Sequence, residues 1–188
     1  MTELGRWGVP APSPAVATEI EALGASLFGA GEFAHHDAYL RVGEVLATTD
    51  SAQVGTAIAY AFSRSPFAHA AALRHLHGRA PGRVFCGLGS ATHRMNVDWF
   101  SGAGGHALGR MADMVGALRA LLAAEDLAPI RYDGPYYHLD ARVQAPVRGR
   151  STFRSSSRRS TAGWSAWRSS MPTASWAMAS SPTSGGRT

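Results

Sequence analysis

Between residues 151 and 188 the sequence contains no leucine, isoleucine or valine, whereas residues 1–150 contain 27. A segment without aliphatic side chains cannot fill a packed interior, so a globular core has to come from the earlier residues. Seventeen of the last 38 residues are Ser or Thr, interrupted by Trp164, Trp167 and Trp176. Charge divides at the same place. The first 150 residues carry 13 Arg and all 13 acidic residues, and the tail carries five Arg and no acid, so the formal charge of +5 belongs to the tail. The chain therefore divides into a unit expected to fold, residues 1–149, and a Ser/Arg/Trp-rich tail, residues 150–188, expected to be disordered.

Other bounds follow quickly. The single cysteine, Cys86, excludes an intrachain disulfide and fits a reducing compartment. The longest apolar run, residues 54–62, is far below the roughly 18 residues that span a bilayer. Glu3, Arg6, Pro10, Pro12 and Pro14 leave the N-terminus without a signal-type apolar run. A cytoplasmic protein with no membrane partner is the expectation. All 18 basic residues are Arg, which points to a GC-rich gene.

Periodicity predicts regular alternation. Residues 5–10 read as a short strand, and Ser13-Pro14 as a helix start, with serine able to cap and proline tolerated at the first position. Val16, Ile20, Leu23 and Leu27 then recur at helical spacing, with Gly24 and Gly29 weakening the far end. Leu27-Phe28 reads as a weak strand, and a titratable loop, residues 29–37, leads to a helix over 39–48. Residues 53–62 are apolar almost throughout, as in a strand covered on both faces. Ser65-Pro66 opens a helix to about residue 77, and residues 83–89 form another buried strand. A Gly/His/Asn-rich loop, 90–106, precedes the strongest helix, about 108–124, with Met111, Met114, Val115, Leu118 and Leu122 on one face. Residues 132–137 suggest a small hairpin or turn. The order β-α-β-α-β-α-β-α is that of a parallel α/β protein, whose chemistry collects where strand C-termini meet loops.

Three segments lie at such ends: 32–37, 57–64 and 87–96. In the first, His35 and His36 can donate to a ligand carbonyl or relay a proton near neutral pH, and Asp37 is equally suited to cap the next helix. In the second, Tyr60 and Phe62 could wall a flat ligand or pack in the core. In the third, Gly87-Leu88-Gly89-Ser90 lacks the third glycine of a dinucleotide fingerprint. Gly87 and Gly89 there permit close packing, or a ligand ring against the strand end. Cys86 reads as a buried small hydrophobe, His75 and His77 as solvated, and no metal site is expected.

In this order the segments resemble the luciferase-like monooxygenase family, especially its deazaflavin-using branch. The carrying residues are Glu32-x-x-His35-His36-Asp37-Ala38-Tyr39-Leu40, the run from Val54-Gly55-Thr56-Ala57-Ile58 to Arg64-Ser65-Pro66, Gly82-Arg83-Val84-Phe85-Cys86-Gly87-Leu88-Gly89-Ser90, and Arg110-Met111-x-x-Met114-Val115. The resemblance covers most of residues 27–146. It implies a partial TIM barrel of about the first four βα units, with a ring bound at the C-terminal mouth against a bulge that in relatives contains a non-proline cis peptide. Here that bulge falls at Ala57-Ile58. The same carry-over makes His36 or His35 the proton-relaying group and assigns Ala57, Ile58, Gly89, Ser90 and Asn96 to cofactor binding. The implied cofactor is the deazaflavin coenzyme F420, with FMN as the alternative, and the implied chemistry is hydride transfer with a small organic substrate.

The resemblance stops near Pro146, and the tail has its own explanation. Met and Trp each have one codon, so the DNA behind residues 171–179 can be partly reconstructed. Shifted by two bases, it is compatible with Ala-Asp-Gly-(Ile/Leu/Val)-Leu-Gly-His-Gly, which resembles a segment the family carries after its fifth strand. Residues from about 150 onward thus read as an out-of-frame translation, and weak or no activity is expected of this chain. The alternatives are a nonfunctional frameshifted fragment and a protein whose Arg/Ser/Trp tail contacts nucleic acid. The favoured reading has a small-molecule substrate and no nucleic-acid partner, and leaves a homodimer open.

Overall fold

The computed structural model describes residues 8–102, 105–124 and 128–142. Its centre is a parallel sheet of four strands in the order β1 (Gly8–Pro10), β2 (Leu27–Ala30), β3 (Gln53–Tyr60) and β4 (Val84–Gly89). Helices connect them: α1 (Pro14–Ala22), α2 (Ala38–Leu46) and α3 (Pro66–Arg79). After β4 come α4 (His93–Asp98), α5 (Ala107–Ala123) and an antiparallel pair, β5 (Pro129–Asp133) with β6 (His138–Arg142). The protein is α/β, with the expected alternation.

Phe28, Val42, Val45 and Val54 are fully buried where α2 covers the sheet, and Ala70, Leu73 and Leu76 of α3 extend the same core. The sheet is packed closely enough to require glycine. A Cβ at Gly55 would lie 2.1 Å from the Phe85 carbonyl, and one at Gly87 would lie 2.6 Å from the Thr56 carbonyl. Both glycines of the apolar run and the Gly-rich strand therefore serve backbone approach.

Several boundaries differ from the sequence reading for local reasons. The helix after Ser13 ends at Ala22, because Gly24 (φ 100°) closes it with Gly24 N–H donating to Glu21 O at 2.8 Å and Ala25 N–H to Ile20 O at 3.2 Å. That pair of bonds is the Schellman arrangement. Leu23 is consequently 78% exposed, Leu27 belongs to β2, and the residue that α1 buries is Ala17. Ser13 precedes the helix without a side-chain capping bond. The loop predicted over 90–106 contains α4, capped by Thr92, whose hydroxyl accepts from Met95 N at 3.1 Å. The far end of α5 is tied to α3 by the Arg74 guanidinium, which donates to the Leu121 carbonyl and, at 3.1 Å, to that of Ala124. Among the described residues, no helix is long and apolar enough to cross a membrane.

Candidate functional site

The C-terminal ends of β2, β3 and β4 converge on an irregularity in β3. Thr56 pairs with Cys86 and Ala59 with Leu88, so Ala57 and Ile58 together oppose the single residue Gly87. The Ala57–Ile58 peptide is cis, where the resemblance put it. Within a strand otherwise largely buried, Ala57 and Ile58 are both exposed. The bulge thus turns two consecutive residues out of the packed sheet. Thr56 brackets it by donating to Gly87 O at 2.8 Å and accepting from Gly87 N at 3.0 Å.

The histidine loop is tied to this bulge. Glu32 N donates to Ile58 O at 3.0 Å, and the Glu32 carboxylate accepts from Tyr60 N at 2.7 Å. Its other oxygen accepts from Arg64 Nη2 at 2.6 Å, and the same nitrogen donates to Asp37. Asp37 caps α2, accepting from Tyr39 N at 2.8 Å and Leu40 N at 3.1 Å. Burial alone would raise the Asp37 carboxyl, but Arg64 and the two amides outweigh it and hold it below its usual range. Between the two carboxylates, Phe33 and His36 exchange both backbone bonds, at 3.1 and 3.2 Å. His35 is exposed and His36 half-buried, with ring centroids 4.3 Å apart. Phe33 meets His35 edge-on at 5.7 Å and Trp99, from the end of α4, at 5.9 Å.

Beneath the loop lies a buried polar chain. The Tyr39 hydroxyl is 2.7 Å from His69 Nδ1, and His69 Nε2 is 3.2 Å from Ala61 O. A carbonyl partner requires the proton on Nε2, so Nδ1 accepts from tyrosine. Cys86 Sγ sits 3.8 Å from the same hydroxyl and 3.7 Å from Thr56 Oγ1. Burial pushes the Cys86 thiol up, which suits an inert packing residue and not a thiolate nucleophile.

On the β4 side, Asn96 is 6% exposed and donates from Nδ2 to Ser90 O at 2.7 Å and to Thr92 O at 2.9 Å. Its Oδ1 is buried with no partner. Asn96 lines a cavity of about 210 Å³ with Phe62, Ala91, His93, His106 and Arg110 among the other walls. At that volume it is smaller than typical ligand pockets, which enclose roughly 300–1,000 Å³. The first turn of α5 borders it, and His106 gives that helix no side-chain cap. Arg110 lies 4.4 Å over the Phe62 ring and donates to the Tyr137 hydroxyl at 3.3 Å. The β5–β6 turn that carries Tyr137 is held by buried Asp113, which accepts from Tyr132 Oη at 2.6 Å, Tyr136 N at 2.7 Å and Tyr137 N at 2.8 Å.

The structure therefore places Ala57 and Ile58 on the β3 bulge beside Gly89 and Ser90 at the end of β4, ties Asn96 of α4 to Ser90, and attaches the His35–His36 loop to the same bulge. The space beside Gly89 is filled by Ile58, whose Cδ1 lies 2.3 Å from where a Cβ would be. Sequence reading put Glu32 and Arg64 in segments at strand ends, and Arg110 in a family-like motif, without assigning any of the three a role. A buried acid paired with a distant Arg has no local pattern, and only the lone acidic residue three positions before the histidines gave a signal. It also passed over His69, which is fully buried, while His75 is exposed as expected and His77 is half-buried. The tail, to which a nucleic-acid role was attached, lies outside the described residues.

Comparison with known proteins places this geometry. The chain is 34% identical over 105 residues to the uncharacterized protein Rv1360 of Mycobacterium tuberculosis, a match covering 55% of this chain and 31% of that protein. It thus spans under a third of the length of the curated relatives it matches. Among solved structures it is similar to the coenzyme F420 dependent tetrahydromethanopterin reductase of Methanopyrus kandleri, with TM-score 0.60 and 15% identity over 74% of this chain and 46% of that one. It is also similar to the oxygenating constituent of 3,6-diketocamphane monooxygenase of Pseudomonas putida in complex with FMN, with TM-score 0.56 and 15% identity over 70% of this chain and 38% of that one. These likenesses show the fold, a parallel α/β arrangement of the luciferase-like TIM-barrel kind. The family profile described as Luciferase-like monooxygenase matches residues 7–180, and the chain belongs to that family.

Proposed function

We propose that this chain is part of a flavin- or deazaflavin-dependent oxidoreductase that transfers hydride between the cofactor ring and a small organic substrate. The observation that carries the reading is the β3 bulge, which exposes Ala57 and Ile58 at the mouth between the histidine loop and the Asn96 cavity. The deazaflavin coenzyme is the favoured cofactor and FMN the alternative, and solved structures similar to this chain include an F420-dependent reductase and a monooxygenase in complex with FMN. The residues fit such a group. Asn96 Oδ1 is an unpartnered acceptor that a ring N–H would satisfy, and Arg110 with the α5 N-terminus suits an anionic substituent.

When bound, the cofactor ring supplies the hydride chemistry. Ala57 and Ile58 offer an exposed apolar surface that would hold such a group, and Asn96 would orient it through an acceptor already desolvated by the fold. His36 or His35 holds or delivers a proton at an imidazole nitrogen on the open side of the bulge. The chain spans under half the length of the solved structures it resembles, and weak binding and weak or no turnover are expected of it.

Titrating the purified chain with the deazaflavin coenzyme and with FMN tests the reading. Saturable binding is expected, weakened by about tenfold in Asn96→Leu, in keeping with one lost hydrogen bond to a buried group. No saturable binding of either cofactor, or an Asn96→Leu variant that binds as well as wild type, overturns it. Tight stoichiometric binding would instead overturn the expectation of a weak site.

A further inference from the structure

We propose that Arg64 is the positioning residue of the histidine loop, pinning both of its ends to one guanidinium nitrogen and thereby fixing where His35 and His36 stand relative to the β3 bulge. Arg64 Nη2 donates to Glu32 Oε1 at 2.6 Å and to Asp37 Oδ2. Glu32 and Asp37 bound the segment that carries the histidines, so a single cation closes it. Each carboxylate uses its second oxygen elsewhere. Glu32 Oε2 takes the Tyr60 amide at the end of β3, and Asp37 Oδ1 takes the first turn of α2. The clamp thus joins β3, the loop and α2 through Arg64, which itself stands just before α3.

Geometry favours a rigid joint. The Glu32 side chain is 9% exposed and that of Arg64 26%, so the pair is screened less than a surface ion pair. The guanidinium carbon also lies 5.1 Å from the centroid of the Tyr39 ring, which limits how the fork can turn. Lysine reproduces this only in part, because an ammonium can reach both carboxylates but has no planar group to lie over the Tyr39 ring. Arg64 touches neither histidine in these contacts and acts through the loop. That the loop faces a reaction rests on the proposed function, whereas the pinning itself does not.

The test uses the full chain labelled with 15N-histidine, with the His35 and His36 ring signals assigned from His35→Gln and His36→Gln. In Arg64→Met, both ring signals are expected to move, and amide exchange over residues 33–37 to rise by about tenfold or more while Val42, Val45 and Val54 keep their protection. Arg64→Lys is expected to restore the exchange only in part. A folded Arg64→Met protein with unmoved ring signals and unchanged loop exchange overturns the proposal. Should that variant not fold, Glu32→Gln removes one tie at nearly constant size, and unmoved signals there overturn it equally. Cofactor titration of the wild-type chain separates the two readings: absent binding together with moved ring signals upholds the pinning and removes the oxidoreductase reading.

Discussion

His69 is fully buried on α3, donating from Nε2 to Ala61 O at 3.2 Å and accepting from the Tyr39 hydroxyl at 2.7 Å. Burial lowers its pKa from 6.5, so the folded protein holds it neutral while the unfolded chain protonates it near its ordinary value. The unfolded state then binds more protons below about pH 6.5, and stability falls as pH falls through that value toward the lowered one. Urea midpoints of wild type and His69→Gln should therefore converge between pH 7.5 and about 5.5, with the wild type losing more. Parallel curves would show that His69 does not carry the dependence. Local chemistry made other residues legible: Asp37 caps α2 and Ser65 caps α3, accepting from Ala68 N at 3.2 Å, both adjacent to the helix they serve. His69 gave no such signal, because its partners stand 30 and 8 residues away.

Glu21, Glu32 and Asp113 each tie elements together by collecting backbone amides. Glu21, in the last turn of α1, accepts from Asp50 N at 2.9 Å, Ser51 N at 2.8 Å and Ala52 N at 2.6 Å, fixing the turn that leads into the central strand β3. Burial alone would raise this carboxyl, but the three amides and the Ser51 hydroxyl hold it at about 2. The stabilisation is fully present above the unfolded value of 4.5 and is lost as pH falls toward about 2. Glu21→Gln should accordingly be less stable than wild type at neutral pH, by roughly 1 kcal/mol given the turn's exposure, with the gap closing on acidification. A gap of constant size from pH 7 to pH 2.5 would exclude this account. The strands and long helices themselves were readable from periodicity. The end of α1 was misread because a Schellman closure at Gly24 overrode an apolar spacing that continued into β2.

Among the described residues β1 pairs only with β2 and β4 only with β3, and every β4 residue is partly exposed. Among the described residues the buried core runs from Ala17 to Ile130, with Ala11 and Leu139 packed against it. Deleting residues 151–188, which hold no Leu, Ile or Val, should leave the unfolding free energy unchanged to within about 0.5 kcal/mol, and a loss of several kcal/mol would show that the tail joins the core. The family profile runs to residue 180 and so includes thirty residues of the segment proposed to be out of frame. Sequencing the gene across codon 150 decides that proposal, since an alternative frame without family-like sequence removes it. The sequence by itself determined the alternation of strands and helices, and through it the strand ends where chemistry gathers, because apolar periodicity and turn chemistry are local properties. Only the tertiary structure decided which polar groups meet there. Arg64 reaches Glu32 and Asp37 across 32 and 27 residues, and Asp113 holds Tyr136 and Tyr137 across 23 and 24. Such partners are chosen by how elements pack, and no one-dimensional pattern encodes that.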